Sequence, residues 1–261
     1  MVKNNTGLIV LSKPETHYIQ QKPMPHCKWH TLAYNAYIEM LRLKNYSSNT
    51  IKNYSNWFLI FLSAFPERKP STISKNEIMD FMVAFRNRPN WSATSQNQLI
   101  NAVKFFYEKL LKRPVEFYDL PRAQKPQILP GVFAESEIMA MIIATSNLKH
   151  KAIICLAYSS GLRVSEIVNL KLRDIDSKRM VINLRNAKGF KDRQVMLSGK
   201  LLELLRSYFI TYKPEIWLFE GQNKMQYSSR SIQEIVKQAK EKAGIHKKGS
   251  VHAIRHSFAT H

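Results

Sequence analysis

Apolar residues recur at three- and four-residue steps in four separate stretches of the first half of the chain. This period is that of a helix with one buried face, so the pattern predicts four amphipathic helices. The second stretch ends before Pro66, and the third opens with the capping box Ser74–Glu77. Four such helices with short connections predict a small bundle. Its expected core residues are Leu32, Ile38, Leu41, Ile51, Tyr54, Phe58, Phe61, Leu62, Phe65, Ile78, Phe81, Met82, Phe85, Leu99, Val103, Phe106 and Leu110.

The second half of the chain has a different pattern. A helical period begins at Glu135, and the nearly all-apolar segment Ala152–Tyr158 predicts a buried helix. Arg179–Leu184 and Gln194–Leu197 are β-prone and Gly189 lies between them, so we expect a β-hairpin. Further helices are predicted over Leu201–Tyr212, from the capping box Ser231–Glu234 to Gly244, and over Val251–His261, whose Ile254 and Phe258 are expected in the core.

Prolines mark where regular structure is expected to stop. Residues 1–27 hold three prolines and show no helical period, so we interpret them as an irregular N-terminal arm. The segment 121–132 contains three prolines, a glycine and two basic residues, a composition typical of an extended linker. The sequence therefore predicts a helical domain over 28–120, a linker over 121–132, and a mainly α domain with a small β-sheet over 133–261.

The charge balance indicates the kind of partner. The chain has 40 Lys and Arg residues against 19 Asp and Glu residues, which gives a formal net charge of +21. A surface this basic gains free energy by displacing counterions from phosphate groups, so it predicts a polyanionic partner. Charge alone leaves both specific DNA binding and general polyanion binding open.

Cysteine usage and hydropathy indicate the compartment. The two cysteines, Cys27 and Cys155, are far apart, which gives neither a disulfide framework nor a zinc-binding spacing and suits a reducing cytosol. The apolar run Leu8–Leu11 is too short for a signal peptide, and no stretch is long enough to span a membrane. We therefore expect a cytoplasmic protein, and we assign it no metal site and no cofactor.

Three local patterns would equip a site to bind a phosphodiester. The first is SSGLRVSEIVNL, residues 159–170. Gly161 permits a tight turn that holds Arg163 at the start of the next helix, where its planar guanidinium can bind two phosphate oxygens. Glu166, three residues later, can orient that guanidinium. The alternative is a surface Arg–Glu pair without such a role.

The second pattern is NAKGFKDRQV, residues 186–195, at the predicted hairpin turn. Lys188 stands beside Gly189 on a loop that can approach a nucleic-acid backbone closely, and a lysine there can protonate a departing sugar oxygen. Lys191 and Arg193 add charge that attracts phosphate, so we expect them to bind DNA. Lysines in such a turn also serve solubility alone, and that interpretation stays open.

The third pattern is HAIRHSFATH, residues 252–261. His252 and Arg255 are three residues apart and therefore neighbours on one helix face. A lone histidine here would indicate a core residue. An apolar helix that carries both side chains is better explained by a phosphate site than by a solvated face.

The order of these motifs, GLRxSE, then AKGxKxR, then HxxRHxFATH, resembles that of the tyrosine recombinases, the family of Xer proteins and phage integrases. The resemblance spans nearly the whole chain, because the helical first half is similar to the family's core-binding, SAM-like domain. It implies a mainly α fold, with an N-terminal four-helix core-binding domain and a C-terminal catalytic domain that contains a small β-sheet. It also implies double-stranded DNA as the partner and a homotetramer on that DNA.

The resemblance implies catalytic roles for four residues. Arg163 and Arg255 would bind the scissile phosphate, Lys188 would be the general acid, and His252 would assist proton transfer. A tyrosine would attack the phosphate and leave a 3′-phosphotyrosyl bond and a free 5′-hydroxyl, which conserves the bond energy without ATP or metal. His256 is expected to support the active-site helix.

The chain departs from the family pattern at its end. The family's Leu-Gly-His segment and its nucleophilic tyrosine should lie several helical turns beyond Arg255, whereas the sequence ends at His261. We expect a fragment of a complete recombinase. The alternative is a naturally shortened, non-catalytic DNA-binding protein that occupies recombination sites or modulates a complete recombinase. A third possibility is type IB topoisomerase chemistry, which the Xer-like spelling of the motifs disfavours. No nucleophile is assigned in this chain, because these tyrosines are interpreted as structural: Tyr158, Tyr208, Tyr212 and Tyr227.

Overall fold

A computed structural model of the chain describes residues 27–88, 91–114, 122–124, 131–185 and 192–261. The chain forms two compact units that divide between Gln127 and Ile128, inside the segment interpreted as a linker. The described part of the first unit is helical, and that of the second combines helices with a small antiparallel sheet. The predicted mainly α fold class is therefore confirmed. Apart from Cys27, the predicted N-terminal arm lies outside the described residues.

The buried faces of the helices in the first unit form an aromatic-rich core. Within it, the rings of Tyr37 and Phe58 stack with their centroids 4.3 Å apart, and the Tyr37 hydroxyl donates a 3.0 Å hydrogen bond to the Ala102 carbonyl oxygen. The predicted capping box of Ser74 and Glu77 is confirmed. The helices are α1 (Lys28–Leu43), α2 (Ser48–Ser63), α3 (Lys75–Arg86) and α4 (Ala93–Lys104), and the chain continues from α4 as a π-helix over Phe105–Leu110.

Two details of the first unit differ from the sequence pattern. The expectation that Leu32 lies in the core is wrong, because its side chain is exposed and the buried face of α1 runs through Tyr37 and Leu41. The steps of three and four residues also do not predict the π-helix. Three consecutive aromatic residues at its start are buried, and its i→i+5 hydrogen bonds differ from those of the preceding α-helix.

The second unit packs its helices and a three-stranded sheet around another apolar core. Its central buried helix is α6 (Leu148–Ser159), as predicted from the all-apolar segment. The predicted hairpin is also confirmed: its two strands pair antiparallel with Leu184 opposite Arg193, and a short edge strand precedes them. The elements are α5 (Glu135–Ala144), α6 (Leu148–Ser159), α7 (Val164–Asn169), β1 (Ile175–Asp176), β2 (Val181–Leu184), β3 (Arg193–Met196), α8 (Gly199–Tyr212), α9 (Ser229–Lys242) and α10 (Val251–Thr260).

Two expectations for the second unit are wrong. The N-cap of α9 is Ser228, whose hydroxyl accepts a hydrogen bond from the Ser231 amide, so Ser231 lies inside the helix and does not open it. Phe258 does not enter the core. Its side chain is 46% exposed, because its ring lies against the turn at Gly161.

Two further features of the described residues bear on function. None of the helices in these residues is both long enough and apolar enough to cross a bilayer. The same residues hold no group of three or more His, Cys, Asp or Glu side chains arranged to bind a metal ion.

Candidate functional site

A buried carboxylate, that of Glu166, organises a cluster of charged side chains in the second unit. Glu166 stands in the first turn of α7, and its side chain is only 6% exposed. It accepts a 2.8 Å hydrogen bond from the backbone amide of Arg163 and a 2.7 Å bond from Nη1 of the same residue. These two bonds hold the Arg163 guanidinium at the start of α7, as the tight turn at Gly161 predicts.

Two more arginines reach this carboxylate from distant parts of the chain. Arg193, the first residue of β3, donates a 2.8 Å hydrogen bond from Nη2 to Oε2 of Glu166. Arg255 comes from α10, where its Nη1 lies 3.6 Å from the same oxygen and donates a 2.6 Å hydrogen bond to the Gly161 carbonyl oxygen. Three elements of the second unit thus bring three guanidinium groups to one carboxylate.

The charges of this cluster do not cancel. Three guanidinium groups around one carboxylate leave a net charge of about +2. Burial alone would raise the pKa of Glu166, but hydrogen bonds from Arg163 and Arg193 outweigh that effect and lower it, so the carboxylate stays ionised. Burial lowers the pKa of Arg255, and the nearby charge of Arg163 acts in the same direction. The three arginine side chains remain 25–37% exposed, so an anion can reach them from solvent.

The chain matches known proteins over both units. Residues 132–261 match the family model described as the phage integrase family, and residues 34–116 match that of the phage integrase N-terminal SAM-like domain. A putative integrase/recombinase of Sinorhizobium fredii is 35% identical over 227 residues, which cover 85% of this chain and 73% of that protein. The tyrosine recombinase XerA of Pyrococcus horikoshii is 32% identical and is covered to 76%.

The chain belongs to the phage integrase family of tyrosine recombinases. Solved structures share its fold. A lambda integrase dimer bound to a core site aligns with a TM-score of 0.70 over 88% of both chains, at 15% identity. XerH recombinase bound to its palindromic DNA substrate aligns with a TM-score of 0.65 over 87% of this chain, at 19% identity. Membership in this family supports a role in site-specific recombination.

Of the remaining site residues predicted for this member of the phage integrase family, the structure describes the two histidines but not the two lysines. His252 and His256 lie on α10 with exposed side chains, and among the described residues neither imidazole ring has a hydrogen bond or an ion pair. His252 is three residues from Arg255 on the same helix, so both can face one ligand. Lys188 and Lys191 belong to the predicted hairpin turn, which lies outside the described residues.

The sequence pattern of this recombinase did not predict that Arg193 belongs to the cluster around Glu166. Arg193 was expected as one of two basic residues that attract DNA, yet its guanidinium binds Glu166. Strand alternation carries the missing signal: Arg193 and Val195 share one face of β3, and Val195 packs against the core. The second acceptor of Arg255, the Gly161 carbonyl, carries no side-chain signal in the sequence.

Proposed function

We propose that this protein is a site-specific DNA recombinase that cleaves and rejoins DNA through a 3′-phosphotyrosyl intermediate, without metal or ATP. Arg163 and Arg255 bind the scissile phosphate, Lys188 acts as general acid, and His252 assists proton transfer. The observation that carries this proposal is the convergence of Arg163 and Arg255 on the Glu166 carboxylate, which leaves their outer faces open to an anion.

Two fixed guanidinium groups suit the transition state of phosphoryl transfer. As the nucleophile attacks, negative charge builds up on the non-bridging oxygens of a pentacoordinate phosphorus. Arginines that are already oriented by Glu166 and Gly161 stabilise that charge with little reorganisation, because their positions are set before the reaction. About two positive charges placed in this way stabilise the transition state electrostatically, which metal ions do in other phosphoryl-transfer enzymes.

The remaining chemistry is a transesterification. A tyrosine hydroxyl gives up its proton with the assistance of His252 as its oxygen bonds to phosphorus. The 5′ oxygen leaves and takes a proton from Lys188, so the products are a 3′-phosphotyrosine and a 5′-hydroxyl. Attack by the 5′-hydroxyl of another strand reverses the step and releases the tyrosine. The phosphodiester energy is retained throughout.

The partner in this proposal is double-stranded DNA, bound in the cytoplasm by a homotetramer. A formal net charge of +21 favours association with a polyanion. Lambda integrase and XerH, which share this fold, are described as bound to DNA, and lambda integrase also as a tetramer on a Holliday junction. These likenesses support the DNA partner and the assembly.

The test uses the intact native gene product and sheared genomic DNA of its source organism. Covalent protein–DNA adducts are recovered after denaturation in SDS, the attached DNA is sequenced, and the adducted peptide is identified by mass spectrometry. We expect one tyrosine-linked peptide and a defined set of sites. Arg163→Ala and Arg255→Ala should each lower adduct formation about 10³-fold while DNA affinity changes little.

Arg206→Ala on the exposed face of α8 is the matched control, and it should leave adduct formation unchanged. Cleavage that survives either active-site change would refute the assignment of the two arginines. Salt-sensitive DNA binding without any adduct would indicate instead the non-catalytic DNA-binding protein. The intact mass of the gene product, measured in parallel, shows whether its sequence extends beyond His261.

A further inference from the structure

Arg193 occupies an unusual position for a basic residue at the end of a hairpin. It begins β3 directly after the turn, where DNA would be expected to attract it, yet its Nη2 donates a 2.8 Å hydrogen bond to the buried Glu166 carboxylate. Its Nε is also buried, and no described residue accepts a hydrogen bond from it. The guanidinium therefore faces inward on two of its nitrogens, and 37% of the side chain remains exposed.

The Glu166 oxygen that Arg193 binds is the one shared with Arg255. Oε2 accepts the Arg163 amide at 2.8 Å and Nη2 of Arg193 at 2.8 Å, whereas Nη1 of Arg255 stays 3.6 Å away and donates to the Gly161 carbonyl instead. Two short hydrogen bonds already use the acceptor capacity of this oxygen, so it has little left for a hydrogen bond from the Arg255 guanidinium.

We propose that Arg193 is a positioning residue: it binds Glu166 so that the carboxylate orients Arg163 and leaves Arg255 directed at the phosphate, and it does not itself bind DNA. This inference rests on the proposed function, because it assigns Arg193 a role in that phosphate site. It replaces the DNA-binding role that the sequence suggests for this residue.

Removal of Arg193 would change the cluster in two ways. Glu166 would lose one of the bonds that fix its carboxylate plane, which allows the Arg163 guanidinium to rotate with it. Its Oε2 would also be open to Arg255, which lies only 3.6 Å away and would move inward from the phosphate. Small displacements of phosphate-binding groups cost large factors in rate, so Arg193 matters for cleavage without touching DNA.

The chain contains a matched control for this pair. Arg185 directly follows β2 at the same end of the β2–β3 ladder, and its Nε lies 3.3 Å from Oδ1 of Asp174, a carboxylate that is also 6% exposed. Asp174 accepts a backbone amide hydrogen bond from Lys171, as Glu166 does from Arg163. Arg185→Gln therefore removes an equivalent charge and an equivalent ion pair that lie outside the arginine cluster.

The experiment compares Arg193→Gln, Arg193→Lys and Arg185→Gln in the intact native gene product. Binding to a random-sequence 40-base-pair duplex is measured as a function of salt, and single-turnover cleavage is measured on saturating amounts of the duplex recovered from the adducts. We expect Arg193→Gln to lower cleavage at least about tenfold, with an unchanged salt dependence of binding. Arg193→Lys should restore most of the rate, since one N–H donor suffices for the observed contact. Arg185→Gln should cleave at the wild-type rate.

A second measurement does not depend on cleavage. The pKa of Glu166, followed by ¹³C NMR of its carboxyl carbon, should rise in Arg193→Gln and stay at the wild-type value in Arg185→Gln. Thermal unfolding of each variant verifies that it is folded.

The outcomes separate the two proposals. Failure of the wild-type protein to form an adduct would refute the proposed function, and the NMR titration would still test the Arg193–Glu166 link. If the wild-type protein cleaves and Arg193→Gln cleaves equally well, the positioning role is wrong. The positioning role is also wrong if Arg193→Gln lowers the slope of the logarithm of the binding constant against the logarithm of the salt concentration by about one. Such a change would mean that Arg193 binds a DNA phosphate.

Discussion

The Arg255 guanidinium donates a 2.6 Å hydrogen bond to the backbone carbonyl oxygen of Gly161, a residue 94 positions earlier in the chain. Gly161 also lies close to a second side chain of α10, that of Phe258. A Cβ atom built on Gly161 would come 2.4 Å from Cδ1 of that ring. Its φ of +56° lies in the left-handed region, which favours glycine. The turn between α6 and α7 therefore holds Arg255 and accommodates a ring from the same helix.

Gly161→Ala should destabilise the protein and impair cleavage. A side chain at this φ costs about 1 kcal/mol, and the added methyl group must push the Phe258 ring away. We expect a loss of about 2 kcal/mol in the free energy of unfolding, measured by urea denaturation. The shifted turn would also displace the carbonyl that holds Arg255, so adduct formation should fall at least about tenfold.

Two other glycines distinguish the two causes of this loss of stability, which are backbone strain at a positive φ and the contact with Phe258. Gly244 has a φ of +68° and open space around its Cα, so Gly244→Ala reports the backbone strain alone. Gly199, in the first turn of α8, has neither a positive φ nor a close neighbour, and Gly199→Ala should be neutral or slightly stabilising. If Gly161→Ala cost no more than Gly244→Ala, the contact with Phe258 would have no energetic role.

Glu166→Gln should cost about 2–3 kcal/mol of stability and most of the cleavage activity. Glutamine keeps the shape of the side chain, but its amide group carries no charge and turns a donor towards three arginines. Glu137→Gln is the matched control: Glu137 occupies the same position in α5, where it accepts a 2.7 Å hydrogen bond from the Ala134 amide but is more exposed. Chemical denaturation should give a loss below about 1 kcal/mol there. Equal losses in both variants would contradict a special role for the cluster.

The dependence of stability on pH should identify the Glu166 charge itself. Its pKa in the folded protein is lowered below the unfolded value, so its contribution is fully present above a pH of about 4.3 and is lost as the pH falls through the folded pKa. The difference in unfolding free energy between the wild type and Glu166→Gln should therefore be constant from about pH 6 to 8 and narrow below about pH 4.3. Urea titrations across this range measure it, and a difference that widens in acid would show the opposite sign of linkage.

The helical pattern predicted most of the fold because burial along these helices follows local periodicity. The faces of α2 and α3 and the all-apolar α6 could be recognised from spacing alone, and their burial is as expected. The motif around Arg163 and Glu166 also predicted a contact within one helical turn. Such contacts join residues three apart, so the sequence already contains their geometry.

The features that the sequence did not predict depend on long-range contacts. Arg193 meets Glu166 across 27 residues, and Arg255 reaches Gly161 across 94, so neither pairing has a local signal. Phe258 has the spacing of a core residue, yet its position over Gly161 depends on how α10 packs on α6. At the start of α9, Ser228 and Ser231 both suit an N-cap, and only the turn before the helix decides between them.

A buried hydroxyl on α10, that of Ser257, connects this helix to the backbone of Phe133. Ser257 Oγ accepts a 2.9 Å hydrogen bond from the Phe133 amide and donates one of 2.9 Å to the Ala253 carbonyl. Ser257→Ala leaves that buried amide without an acceptor, so we expect a loss of about 1–3 kcal/mol and a lower rate of adduct formation as the Arg255 helix loosens. Thr260→Ala, on the exposed side of the same helix, removes a similar hydroxyl and should stay within about 0.5 kcal/mol. Urea denaturation and the adduct assay measure both variants, and a Ser257→Ala protein as stable as Thr260→Ala would show that the Phe133 amide finds another acceptor.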